Sequence, residues 1–215
     1  MPPVCRLCSA PGLDHLDLCC DCWADLPLPG FQCPVCATQQ AQQRVCGRCL
    51  SSPPAYDRVR APFAYRRPLD TFVSQLKFQR QRAYARLLAQ LWIAKAEVTS
   101  LPSAVIPIPL DRQRLRSRGF NQAQLIAQLL ARRLKIQCHT PLRKLRSTKP
   151  QMELNAKRRR KNLRGAFELD RAYRPPGHVA IVDDVMTTGA TAHEAAALLR
   201  QAGAQSIEVW VCARA

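Results

Sequence analysis

No apolar stretch in this sequence approaches the roughly 20 residues needed to cross a bilayer, so no membrane insertion is expected. The opening Met1-Pro2-Pro3-Val4-Cys5-Arg6-Leu7-Cys8 has no basic region followed by an apolar one, the pattern of a secretory signal, and a cytoplasmic protein is expected. Acidic residues are scarce. Fifteen Asp and Glu stand against 33 Lys and Arg, a formal net charge of +18, which implies an anionic partner: nucleic acid, phosphates or an acidic surface. What is plentiful is apolar: 47% of the 215 residues are hydrophobic, which excludes wholesale disorder and suffices for one medium domain and a small one.

Charge and cysteine divide the chain at the same place. Residues 1–50 hold three basic and four acidic residues, so nearly all the positive charge lies beyond them. Nine of the 11 cysteines also lie there, eight of them as C-x-x-C pairs: Cys5/Cys8, Cys19/Cys22, Cys33/Cys36 and Cys46/Cys49. A C-x-x-C turn lets two thiolates reach one metal ion, and two such turns complete a tetrahedral zinc site. Consecutive grouping gives Cys5, Cys8, Cys19 and Cys22 at one ion and Cys33, Cys36, Cys46 and Cys49 at another; interleaved grouping satisfies the spacing too. His15 is an alternative donor, and Cys20 is left over. A disulfide framework fits poorly where no secretory signal is present. Cys₄ coordination leaves no open position, so two structural zinc ions are expected, stapling a stretch too short to bury a core without metal. Cys138 and Cys212, in apolar surroundings, read as small core residues.

Ser51-Ser52-Pro53-Pro54 reads as a linker, dividing a zinc-ribbon-like domain at 1–52 from a second domain at 56–215. In the second part, Val59–Tyr65 reads as a strand interrupted at Pro62, followed by helical spacing over Leu69–Phe78 and an amphipathic helix over 83–98. Residues 104–110 form a short apolar strand stopped by prolines. Then come four arginines between Asp111 and Arg118, the Gly119-Phe120-Asn121-Gln122 turn, and another helix. Residues 142–164 carry ten basic residues and one acid, Glu153, and are expected to be mobile or solvent-facing. An apolar strand over 178–182, an Ala/Leu helix over 192–202 ending at Gly203, and a final strand over 207–212 complete the pattern. Strands alternating with helices predict an α/β fold with a mostly parallel sheet.

The chemistry concentrates in Val179-Ala-Ile-Val-Asp-Asp-Val-Met-Thr-Thr-Gly-Ala-Thr191. A buried strand delivers Asp183 and Asp184 to its carboxyl end, where open α/β sheets bind ligands. The following loop of small residues exposes backbone amides and opens a helix, a combination that favours anions. Carboxylates for hydroxyls and amides for a phosphate suit a sugar phosphate.

Residues 179–191 resemble the phosphoribosyl-pyrophosphate (PRPP) motif of type I phosphoribosyltransferases. The order of features resembles the ComF family in particular: cysteine pairs, Leu76-Lys77-Phe78, Pro107–Leu110, Arg118–Gln122, then Gln151, Leu154, Arg159 and Asn162, and the PRPP motif last. The resemblance implies a type I phosphoribosyltransferase-like sheet with flanking helices behind a small N-terminal Cys₄ zinc-ribbon domain. It assigns Asp183 and Asp184 to the ribose hydroxyls, and Thr187, Thr188, Gly189, Ala190 and Thr191 to the 5-phosphate. Arg118 and Gly119 would meet pyrophosphate with Mg²⁺, and Arg159 would belong to a basic hood over 146–164. Thr187 stands where some relatives place a carboxylate base, so no general base is assigned. Two functions follow. One is PRPP-dependent phosphoribosyl transfer, linked through the family to competence, DNA uptake and DNA-processing partners or to nucleotide metabolism. The other is non-catalytic single-stranded DNA binding on the same scaffold, by backbone contact, because no aromatic residue interrupts the basic run.

Overall fold

The computed structural model describes residues 2–145 and 165–215. In chain order its elements are α1 (Cys20–Ala24), α2 (Gly47–Ser51), β1 (Arg58–Arg60), β2 (Phe63–Ala64), α3 (Leu69–Phe78), α4 (Ala83–Lys95), β3 (Ala104–Pro107), α5 (Arg112–Arg118), α6 (Gln122–Leu134), β4 (Gln137–Cys138), β5 (Leu142–Lys144), β6 (Phe167–Leu169), β7 (His178–Met186), α7 (Ala190–Gln201) and β8 (Ser206–Arg214).

Six strands form one parallel sheet in the order β1-β8-β7-β3-β4, with β2 also pairing β8. The two long strands, β7 and β8, are buried along almost their whole length, as expected for a sheet covered on both faces. On one face Ala180, Val182 and Trp210 pack with α3, α4 and α6; on the other Val179, Ile181, Ile207 and Val209 pack with Ala195, Ala196 and Leu199 of α7. Trp92 of α4 and Trp210 stack with ring centroids 4.4 Å apart. The Trp210 indole N–H donates to Glu208 at 2.7 Å, and Glu208 in turn pairs with Arg60, so the buried acid is satisfied.

Local chemistry sets the helix ends. Asp111 caps α5 by accepting from the Arg114 amide at 2.9 Å, and Asn121 caps α6 by accepting from the Ala123 amide while donating to the Ile108 carbonyl. The helix α5 was not anticipated from the arginine-rich sequence. The strand expected over 178–182 runs on to Met186, because ladder pairing with β8 continues past the apolar residues. The expected solvent-facing segment at 142–164 begins instead with a strand: β5 pairs antiparallel with β6, anchored by buried Leu142 and Phe167. Residues 146–164, including Gln151, Leu154, Arg159 and Asn162, lie outside the described residues. Cys212 is buried and Cys138 is half-buried on the edge strand.

The N-terminal part packs on this body. Cys5, Leu18, Cys19 and Leu26 join the same apolar cluster as α3, α4 and α6. Asp17 pairs with Arg86 of α4, and Lys95 lies 4.8 Å over the Trp23 ring.

Candidate functional site

The eight paired cysteines fall into two sets, Cys5, Cys8, Cys19, Cys22 and Cys33, Cys36, Cys46, Cys49, with all sulfurs of each set within 4.8 Å of one another. The grouping is therefore consecutive, and neither set needs His15. A tetrahedral ion with Zn–S of about 2.3 Å separates its sulfurs by about 3.8 Å. The observed 3.6 Å for Cys8–Cys19, 3.7 Å for Cys8–Cys22 and 3.6 Å for Cys36–Cys46 match that spacing. The Cys46 amide donates to Cys33 Sγ at 3.3 Å, support that a thiolate uses. Burial pushes the Cys36 thiol up, but hydrogen bonds from Thr38 and the neighbouring cysteines outweigh it and hold the group at about 6. The residues fit two structural zinc ions.

At the carboxyl end of β7, strand pleating sends the two acids to opposite faces. Asp184 is 2% exposed and follows Ala180 and Val182 toward α3, where its Oδ2 meets Lys77 Nζ. Burial opposes its ionisation, yet the Lys77 ammonium prevails and holds the carboxyl below its ordinary value. Asp183 is half-buried, and its Oδ1 accepts from the Asp184 amide at 2.9 Å. Its side chain also hydrogen-bonds that of Asp184. Burial first, and the adjacent Asp184 charge second, push the Asp183 carboxyl well above the usual carboxylate range. Around the pair stand cations from three other elements. Arg118 from α5 feels both acids, and Lys144 from β5 feels Asp183, its own ammonium lowered by burial and by Arg114.

In the turn after β7, Thr187 is exposed and Thr188 and Gly189 are half-buried. Among the described residues, the N–H groups of Thr187, Thr188 and Gly189 have no acceptor, while that of Ala190 reaches Thr188 Oγ1 at 3.4 Å. Gly189 has φ +77°, the left-handed conformation that lets α7 start immediately after the turn. A Cβ at Gly189 would collide with the Met186 methyl and lie 3.0 Å from the Tyr56 hydroxyl. Gly189→Ala is therefore expected to cost about 1–2 kcal/mol from backbone strain alone and to weaken any anion held by the turn. Thermal unfolding and phosphate titration check it; an unchanged Tm and affinity contradict it.

The Gly119 amide is already used, donating to the Leu115 carbonyl at 2.8 Å, so of that pair the Arg118 side chain is the remaining candidate. Its guanidinium donates to Gln122 and lies 5.8 Å from the exposed Phe78 ring. The sequence reading missed four contributors. Lys77 entered only as a family marker; Arg48, Tyr56 and Arg214 entered not at all. Arg48 Nη1 donates to the Thr188 carbonyl at 2.8 Å, and Arg214 Nη1 to that of Met186 at 3.0 Å. A hollow of about 190 Å³ lies between this turn and the second cysteine set, lined by Arg48, Tyr56, Thr188, Gly189 and His193. Grooves of about 720 and 870 Å³ lie elsewhere, beside the first cysteine set and α4, and Asp183 and Asp184 line none of the three.

The protein is thus an α/β fold built on a parallel sheet, behind an N-terminal double zinc ribbon. The double zinc ribbon domain family matches residues 1–50. DNA utilization protein YhgH of Escherichia coli O157:H7 is 36% identical over 223 residues, covering 100% of this chain and 98% of the relative. Competence protein F of Haemophilus influenzae is 40% identical over 194 residues, covering 85% and 84%, and competence protein ComFC of Bacillus subtilis is 28% identical over 201 residues, covering 86% and 79%. The chain belongs to the ComF family. Among solved structures, the glutamine PRPP amidotransferase from B. subtilis complexed with ADP and GMP aligns with a TM-score of 0.43 and 19% identity, over 60% of this chain and 26% of that one. No helix of the described residues is long and apolar enough to cross a membrane.

Proposed function

We propose that this protein binds PRPP with Mg²⁺ at the carboxyl end of β7, and that it serves DNA utilization or competence, as the names of its relatives suggest. The observation that carries the reading is the turn itself: three successive amides without acceptors among the described residues, directly after the paired carboxyls of Asp183 and Asp184. In this reading the amides and hydroxyls of Thr187–Thr191 hold the 5-phosphate, and Asp183 accepts from the ribose hydroxyls. Lys77 keeps Asp184 ionised, so that its charge lies beside the ribose. Arg118 faces the pyrophosphate. A hard carboxylate oxygen also suits Mg²⁺, which would neutralise charge on the departing pyrophosphate. In a transfer reaction the bond from C1 to pyrophosphate breaks, pyrophosphate leaves with the electron pair, and the acceptor's lone pair bonds to C1.

Isothermal titration with PRPP and MgCl₂ tests this. Asp183→Asn is expected to weaken binding at least tenfold, a loss of about 1.4 kcal/mol. Wild type that binds no better than this variant defeats the reading. The pH profile adds a sign. Because the Asp183 carboxyl is raised, it takes up a proton at a higher pH than an ordinary aspartate as the solution is acidified. Affinity should therefore fall toward acid from that higher pH, and Asp183→Asn should remove this part of the profile.

A second reading draws on Arg112 and Arg116, both exposed on α5 beside the same strand tips. In this reading their charge, added to that which the sequence of 146–164 carries, attracts the backbone of single-stranded DNA. Binding should then weaken with salt by roughly 0.7 in log–log slope per phosphate neutralised. Salt-independent binding rejects this version.

A further inference from the structure

The second cysteine set touches the anion turn and the first does not. Arg48, between ligands Cys46 and Cys49, donates to the Thr188 carbonyl at 2.8 Å. Arg214 donates through Nε to the Cys36 carbonyl at 3.1 Å, through Nη2 to Thr38 Oγ1 at 2.8 Å, and through Nη1 to the Met186 carbonyl at 3.0 Å. Thr38 Oγ1 in turn lies 3.2 Å from Cys36 Sγ. The side-chain contacts of the first set run instead to α4, through Asp17 with Arg86, Gln90 with His15, and Tyr84 with Arg6.

The peptide unit explains why this matters. It is planar and trans, so its C=O and N–H point in opposite directions. The Met186 carbonyl belongs to the same peptide as the Thr187 amide, and the Thr188 carbonyl to the same peptide as the Gly189 amide. The Arg48 guanidinium draws the Thr188 carbonyl toward the zinc ribbon and thereby turns the Gly189 N–H away from it, toward the anion; the Met186 carbonyl is held by Arg214 together with the Ala215 amide, which donates to it at 3.0 Å. The guanidinium also polarises the peptide, which makes the N–H a stronger donor. A Zn(Cys)₄ unit carries about −2 with its thiolates counted, and that charge holds the two arginines where they can reach the carbonyls.

We propose that Arg48 and Arg214 are positioning residues for the phosphate turn, and that the second zinc ribbon is the mount they act from. The proposal deepens the phosphoribosyl reading, on which its ligand rests, and names a part of the site that lies outside the α/β body.

The experiment uses the full-length chain with both zinc ions, confirmed by metal analysis for every variant. Arg48→Met keeps length and removes the charged fork; Arg48→Lys restores the charge; Arg86→Met is the matched control at the first ribbon. Arg48→Met should weaken PRPP–Mg²⁺ binding about tenfold, Arg48→Lys should recover part of that, and Arg86→Met should match wild type. A readout without ligand separates this proposal from the reading beneath it. In ¹⁵N–¹H spectra the Gly189 amide proton should move upfield in Arg48→Met, because its peptide is no longer polarised, and should stay in place in Arg86→Met. Wild type that ignores PRPP while Gly189 still moves defeats the ligand and keeps the mount. An unmoved Gly189 signal, or Arg48→Met that binds as wild type does, overturns the mount.

Discussion

Lys77→Met is expected to lower stability by about 3–5 kcal/mol, the cost of leaving a buried carboxylate without its counter-charge. Asp184 is 2% exposed, and Lys77 supplies the ammonium at its Oδ2. For a chain of this size that corresponds to a fall in Tm of about 6–20 °C. The pH dependence gives a sharper signature. The Asp184 carboxyl is held below its ordinary value, so the pair contributes stability above the unfolded-state pKa of about 3.9 and loses it as pH falls through the depressed value. In Lys77→Met burial, the largest influence, is opposed only by the hydrogen bonds from Asp183 and the Val185 backbone, so that carboxyl should rise and the variant's deficit should shrink as the solution is acidified. Lys77→Met/Asp184→Leu removes both charges and should recover most of the loss, since apolar replacement of a buried pair is often neutral. A single variant that melts within a degree of wild type at neutral pH would falsify the account of Lys77 as the counter-ion.

Removal of both zinc ions should have the largest effect of all. Structural zinc sites contribute apparent binding free energies of about 10–16 kcal/mol, comparable with the whole net stability of a domain. The second ribbon depends on its metal more than the first. Its buried cluster consists of Cys33, Cys36, Cys46 and Cys49 themselves, with only Val35 and Val45 packed against them. The first ribbon also buries Leu18 and Leu26 against α3 and α4. Chelation followed by circular dichroism and calorimetry should show an early transition confined to the N-terminal part, with the ribbon at Cys33–Cys49 lost first. Two zinc ions per chain by elemental analysis set the baseline. A chelated chain with an unchanged melting profile refutes a structural role for the metal.

The sequence made some of this legible for clear reasons. Four C-x-x-C turns within 50 residues already implied two tetrahedral sites, and only the choice between consecutive and interleaved grouping needed coordinates. The strand tip at Asp183 and Asp184 was legible because an apolar run followed by acids and small residues has few other readings. The opposed directions of the two acids were not, because β7 extends through them by pairing with β8, which the apolar pattern of β7 alone does not reveal. The strand β5 was hidden inside a charge run, since a single buried residue, Leu142, anchors it. Arg48 was the hardest to see. It lies between two cysteines in the sequence, and its acceptor lies 140 residues away.

The position of β8 in the sheet bears on how the chain reaches this state. β8 lies between β1 and β7, and Arg58–Arg60 pair with Glu208–Trp210. The strands before residue 65 bond to the N-terminal part through the Val59 and Ala64 amides, but their ladder partner in the sheet is the last strand to be synthesised. Pairings between such distant segments close late and make folding slow. Both cysteine sets precede every strand of the sheet in the chain, so zinc capture does not have to wait for the sheet to close.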